Sequence, residues 1–88
     1  MTVKKSKIHG NGLFANRDYK PKEIIAPIYH EAILKWVNHS RTPNATFIDI
    51  RGVVYAVCIR PIRKDEEITL DYRHPLNPYL PAEYDFPL

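Results

Sequence analysis

A single cysteine, Cys58, stands in the whole chain. An intramolecular disulfide is therefore excluded, as is a zinc site built on several cysteines of one chain. So little cysteine suits a reducing compartment, and the protein is expected inside the cell, in cytoplasm or in nucleus or nucleoid. Cys58 lies in an apolar run and reads as a small buried hydrophobe rather than a nucleophile. Long hydrophobic runs are missing too. Nothing approaches the roughly 20 apolar residues of a membrane-spanning helix, so no membrane partner is expected. The basic start, "MTVKKSKIHG", has no apolar segment behind it and does not read as a secretory leader. His9, His30, His39 and His74 show no close spacing with one another or with carboxylates, so no metal is expected. Ser40 has no Gly-x-Ser-x-Gly elbow around it, which argues against a Ser-His-Asp nucleophile.

What is present is an ordinary globular composition, 44% hydrophobic and 26% charged, and a length of 88 residues that fits one small domain, 1–88. A chain of this size buries only about 60–65% of the surface its unfolded form exposes, so the core is thin. The net charge is +3, with basic residues gathered in "VKKSK" and "IRPIRK". These are either solubilising edges or a surface for acidic partners. Aromatics are not interleaved with a basic face, so nucleic acid is not an expected partner.

The pattern along the chain is mainly β. Val3–Ile8 reads as a short edge strand, and "HGNG" (His9–Gly12) as a turn in which Gly10 and Gly12 supply positive φ. Leu13–Ala15 and Glu23–Ile28 read as strands. Tyr29–Val37 suits a short helix, with Tyr29, Ile33, Trp36 and Val37 on one face. Thr46–Ile50 and Val53–Ile59 flank Arg51-Gly52 as a hairpin. Ile68, Leu70 and Tyr72 alternate with Thr69 and Asp71, which predicts one apolar face. The tail from His74 holds four of the eight prolines and is expected to be irregular. An internal echo links "RDYKPKEII" (Arg17–Ile25) to "RPIRKDEEI" (Arg60–Ile68), which reads as two similar turns each feeding a strand.

Three segments carry more. "SKIHGNGLFANRDYKPKEII" turns through Gly-x-Gly into an apolar strand. "WVNHSRTPNATF" sets Asn38, His39 and Ser40 side by side and closes on Pro43-Asn44. "AVCIRPIRKDEEITLDY" ends on Asp71-Tyr72. In that order the segments resemble the SET domain of protein-lysine methyltransferases, over Ser6–Tyr72. The resemblance implies a fold of short strands and hairpins with one short helix. In it a pseudoknot-like C-terminal crossing brings Asn38-His39 against Asp71-Tyr72. It implies S-adenosyl-L-methionine as cofactor. Gly10, Asn11, Gly12 and Leu13 would face its methionine end, Asn38 would hydrogen-bond it, the backbone near His39 would meet the adenine, and Tyr72 would complete the pocket. Tyr72 would also be the catalytic residue, aligning a lysine amine with the methyl group. The partner would be a lysine-containing protein, a histone or another basic protein among the candidates.

Each residue also has a plainer reading. Tyr72 would end a half-buried strand, His39 would be a satisfied polar group, Asn38 a helix C-cap, and Pro43-Asn44 a turn. Asp71 reads as structural, bonding nearby backbone. The chain also departs from the family pattern. Seven residues separate Ile28 from Trp36, where relatives carry strands that wall the substrate groove. Arg41 stands where some relatives have a zinc-bound cysteine, and no cysteine-rich segment follows. Either the tail aromatics Tyr79, Tyr84 and Phe86 close the channel or they pack on the core. Exposed sheet edges point to a homodimer that supplies the missing wall. The expected activity is a minimal protein-lysine N-methyltransferase; a non-catalytic SET-like protein-binding module is the alternative.

Overall fold

A computed structural model describes residues 1–77. The tail aromatics Tyr79, Tyr84 and Phe86 lie outside the described residues. Seven short strands and one helix run in the order β1 (Thr2–Lys5), β2 (Asn11–Phe14), β3 (Ile24–Pro27), α1 (Glu31–Trp36), β4 (Asn38–His39), β5 (Ala45–Ile50), β6 (Val53–Cys58) and β7 (Thr69–Leu70). They form three small sheets: antiparallel β1-β2, antiparallel β3-β6-β5, and a parallel pair β4-β7. No described helix is long and apolar enough to cross a membrane.

The hairpin is where its pattern places it. Arg51 (φ 53°) and Gly52 (φ 85°) both take left-handed backbone, the pair of conformations that matches the twist of two flanking strands. Asp49 accepts the Gly52 N–H at 2.8 Å and closes the turn. β1 is shorter than predicted. Its chain leaves the sheet at Ser6, whose N–H donates to Gly10 O at 2.8 Å and whose Oγ accepts from Ile8 N at 2.9 Å. The turn is therefore 6–10, and Asn11 and Gly12 already belong to β2.

The predicted helical face needs correction. His30 caps α1, its Nδ1 accepting from Ala32 N at 3.1 Å, so Tyr29 lies before the helix and is exposed. Ile33 and Val37 are buried, while Trp36 is partly exposed at the helix end. A six-residue helix turns fewer than twice and can bury only a narrow stripe. Asn38 is no C-cap. Val37 holds that place in extended backbone, and Asn38 opens β4. The alternation predicted at 68–72 fails as well. Ile68, Thr69 and Leu70 are all buried, because this segment has chain on both sides. Ile68 N donates to Leu13 O at 2.7 Å and Ser40 N to Leu70 O at 3.0 Å. Thr69 meets its polar needs through Asn44, whose Oδ1 accepts from Thr69 N at 2.9 Å. Asn44 returns a bond from Nδ2 to Glu67 O at 2.7 Å. Pro43-Asn44 is thus more than a turn: Asn44 latches the inserted strand.

The echo between 17–25 and 60–68 is structural. Its offset is 43 residues (Arg17 to Arg60, Ile25 to Ile68). Tyr19 and Ile62 exchange both backbone bonds, at 2.7 and 3.0 Å. Lys22 N bonds Cys58 O at 2.7 Å and Asp65 N bonds Ala15 O at 2.8 Å; Cys58 N bonds Glu23 O and Ala15 N bonds Glu66 O, both at 2.9 Å. Glu23 and Glu66 each close their own turn, accepting from Lys20 N at 2.8 Å and Arg63 N at 3.0 Å. Such reciprocity, residue i to j and the equivalent of j to the equivalent of i, is the mark of a local two-fold axis. Cys58 and Ala15 occupy equivalent buried places beside that axis, so Cys58 serves as a small core residue.

Candidate functional site

The parallel pairing of β4 with β7 sets Asn38 beside Thr69 and His39 beside Leu70. Tyr72 comes two residues on. Its N–H donates to His39 Nδ1 at 3.0 Å, and the two rings stand 5.3 Å apart at a 51° tilt. Because Nδ1 accepts that bond, the imidazole is in the tautomer with its proton on Nε2. The Tyr72 hydroxyl donates to the carbonyl of Val37, the residue that caps α1. Asp71 Oδ1 lies 3.7 Å from His39 Nδ1. Hydrogen bonds from the Arg73 guanidinium hold the Asp71 carboxyl down at about 2, well below its usual value.

Asn38 reaches the other half of the site. Its Nδ2 donates to His9 O and Asn11 O, each at 3.1 Å, and to Glu67 Oε2 at 2.8 Å. Three acceptors around one nitrogen fix which way the amide faces, because the reverse orientation would set oxygen against oxygen. Oδ1 accepts no hydrogen bond among the described residues, although the residue as a whole is only 8% exposed. That oxygen reaches solvent, since no buried side-chain N or O among the described residues lacks a partner. The turn that Asn38 holds is pinned at Gly10, whose φ of 47° is left-handed and beside which a Cβ would meet nothing within 4 Å.

Gly12 departs from the prediction. It carries no positive φ. A Cβ there would lie 2.8 Å from Glu67 Cδ and 3.0 Å from Ser6 Cβ, so a side chain at this place would push the Glu67 carboxylate off its partners. Leu13 is fully buried and serves the core, with its carbonyl accepting from Ile68 N. Asn11 contributes its carbonyl to Asn38.

Gly10, Asn11, Gly12, Asn38, His39 and Tyr72 therefore share one region, joined through the hydrogen bonds of Asn38 and His39. Asn44, Ser6 and Glu67 stand inside the motif segments, but the motifs give none of them, nor the Val37 carbonyl, a role in this region. Their signal is weak: a carboxylate directly before a buried strand, 55 positions after the glycine it faces (12 to 67).

Comparison with known proteins agrees with this fold. The family model for the SET domain matches residues 29–73, just over half of the chain. A crystal structure of a Plasmodium falciparum protein, provisionally described as a histone methyltransferase, is similar with a TM-score of 0.65 at 24% identity. The match covers 83% of this chain and 96% of that one. No curated protein sequence matches. The chain belongs to the SET domain family.

Proposed function

We propose that the chain is a minimal S-adenosyl-L-methionine-dependent protein-lysine N-methyltransferase. The observation that carries this reading is the convergence of the Gly10 turn, Asn38-His39 and Tyr72 on the β4-β7 pair. The donor set fits the cofactor. Asn38 Oδ1 is an acceptor without a partner among the described residues, suited to a cofactor N–H, and Gly10 leaves room for close approach of the backbone. Asn38, His39, Gly10, Asn11 and Gly12 would hold it, with Leu13 supporting the strand behind. When bound, the cofactor supplies an electrophilic methyl group.

Tyr72 would align the substrate. Its hydroxyl proton is committed to Val37 O, so toward an amine N–H its oxygen would act as an acceptor. That phenol and the Val37 carbonyl together form an acceptor pair that can orient a neutral lysine amine. A free lysine amine has a pKa near about 10.4, so a desolvated channel that disfavours the ammonium form would help deliver it neutral. The proton would leave to solvent, with no dedicated base. The substrate would be a lysine-bearing protein; a histone or another basic protein is the first choice to test.

A second reading, a non-catalytic protein-binding module, draws on one observation. The link between Ile28 and Val37 forms only a six-residue helix, with Tyr29 and Leu34 exposed where a substrate wall is expected. A second subunit would supply that wall in a homodimer. Calorimetry with the cofactor, followed by methyl incorporation into lysine peptides, separates the readings. For an enzyme, Tyr72→Phe should bind the cofactor normally and lose about 100-fold in kcat. Equal rates in both proteins would remove Tyr72 from catalysis, and binding without transfer to any peptide would select the module.

A further inference from the structure

We infer that Glu67 is the positioning residue of the site, clamping both flanks of the Gly10 turn through Ser6 and Asn38. The cofactor consequence rests on the function proposed for the chain; the clamp itself does not. One branch runs from Oε1. Ser6 Oγ donates to it at 2.7 Å, which commits the hydroxyl proton and turns the Ser6 lone pairs toward the turn. There they accept from Ile8 N at 2.9 Å and His9 N at 3.4 Å. The other branch runs from Oε2, which accepts from Asn38 Nδ2 at 2.8 Å while that same nitrogen holds the carbonyls of His9 and Asn11. Nδ2 has two hydrogens for three acceptors, and the carboxylate contact is the shortest. An ionised acceptor makes the stronger bond, so it orders the other two. The two branches reach the chain on either side of Gly10.

Two observations separate this role from plain scaffolding. Position 67 is equivalent to position 24 in the other half of the two-fold pair, and there an exposed Ile stands. The shared backbone therefore does not require a carboxylate at this place. Gly12, for its part, is bare of a side chain on the side where Glu67 sits. The glycine and the carboxylate fit each other.

The test uses the full chain with Glu67→Ala, Glu67→Gln, Gly12→Ala and the Gly12→Ala/Glu67→Ala double variant. Amide hydrogen exchange of Ile8 to Gly12 is the first readout. Exchange there should accelerate about tenfold or more in Glu67→Ala and by less in Glu67→Gln, because a glutamine oxygen can still accept from Asn38 while its amide N–H must compete with Ile8 N and His9 N for the Ser6 lone pairs. The second readout is the affinity for S-adenosyl-L-homocysteine by calorimetry. Glu67→Ala should weaken it about tenfold while kcat at saturating cofactor stays within about threefold, a KM effect rather than a kcat effect. Gly12→Ala should weaken binding alone, yet add little on top of Glu67→Ala, since removing the carboxylate leaves only the 3.0 Å approach to Ser6 Cβ. Unchanged exchange in Glu67→Ala, or additive losses in the double variant, would overturn the clamp. If the wild type does not bind the cofactor product, the functional reading falls, and the exchange data alone then decide for or against the clamp.

Discussion

Lys22 and Asp65 hold the same left-handed backbone, with φ of 76° and 73°, in two turns that bond to each other across a local two-fold axis. Downstream of the turns the two halves diverge. After Lys22 the chain runs into β3, with Ile24 exposed and Ile28 buried. After Asp65 it runs between β2 and β4, and the equivalent places hold Glu67 and Asp71, both engaged in polar contacts. One backbone solution thus serves twice, once to build a sheet and once to build a site. The contrast shows that the turn geometry is scaffold, and that the path of the chain after the turn together with side-chain choice places the polar chemistry on one copy.

The strongest way to break the comparison is to hollow out equivalent positions. Ile68→Ala removes a fully buried side chain and should cost about 2–5 kcal/mol. Ile25→Ala, 43 positions earlier and only partly buried, should cost about 1–2 kcal/mol by the same reasoning. Urea midpoints at constant m-value measure both. Equal losses would mean that the two halves contribute alike to the core and that the insertion of 66–70 between strands carries no extra weight.

A smaller effect should appear on acidification. Asp71 is held at about 2, below its usual value, chiefly by hydrogen bonds from Arg73. A carboxyl lowered in the folded state contributes stability that is complete above its unfolded value, near about 3.9, and is lost as the pH falls through the folded one. Arg73 is well exposed, so the contribution is on the order of 1 kcal/mol once screening is allowed for. Stability curves at pH 5 and pH 2 should show this loss in the wild type beyond that in Asp71→Asn. Ile28, the equivalent place in the other half, has no charge to lose. Matching losses in both proteins would show that other carboxylates dominate.

The finest test concerns the turns themselves. Lys22→Gly should stabilise by up to about 1 kcal/mol, since a lysine at positive φ is strained. Asp65→Gly should gain less, because Asp tolerates that region better. A loss of stability in both variants would mean that the side chains of Lys22 and Asp65 hold the turns despite their backbone strain.

The parts of the fold that are readable from sequence are those governed by neighbours in the chain. The hairpin rests on alternation around Arg51-Gly52, and the two similar turns show as repeated residues. The SET motifs identify Asn38, His39 and Tyr72, which the structure brings to one place. Contacts across long separations are not readable. Backbone freedom is the local explanation of Gly12, and the actual one is a carboxylate far along the chain. Period-two logic puts Thr69 on a polar face, but the segment is flanked on both sides and Asn44 satisfies it. Helical spacing includes Tyr29 in a helix that begins only after the His30 cap. In each case a tertiary neighbour overrules a local pattern, which short strands permit because so little of their pairing is local.

The parallel pairing of Asn38 with Thr69 and His39 with Leu70 also bears on time. Contacts of such long range form slowly, since the intervening loop must close before they contribute anything. The β5-β6 hairpin can assemble early and still leave the molecule inert. Whatever this protein does at that pair must wait for the insertion, so its activity doubles as a report that the two distant segments have met.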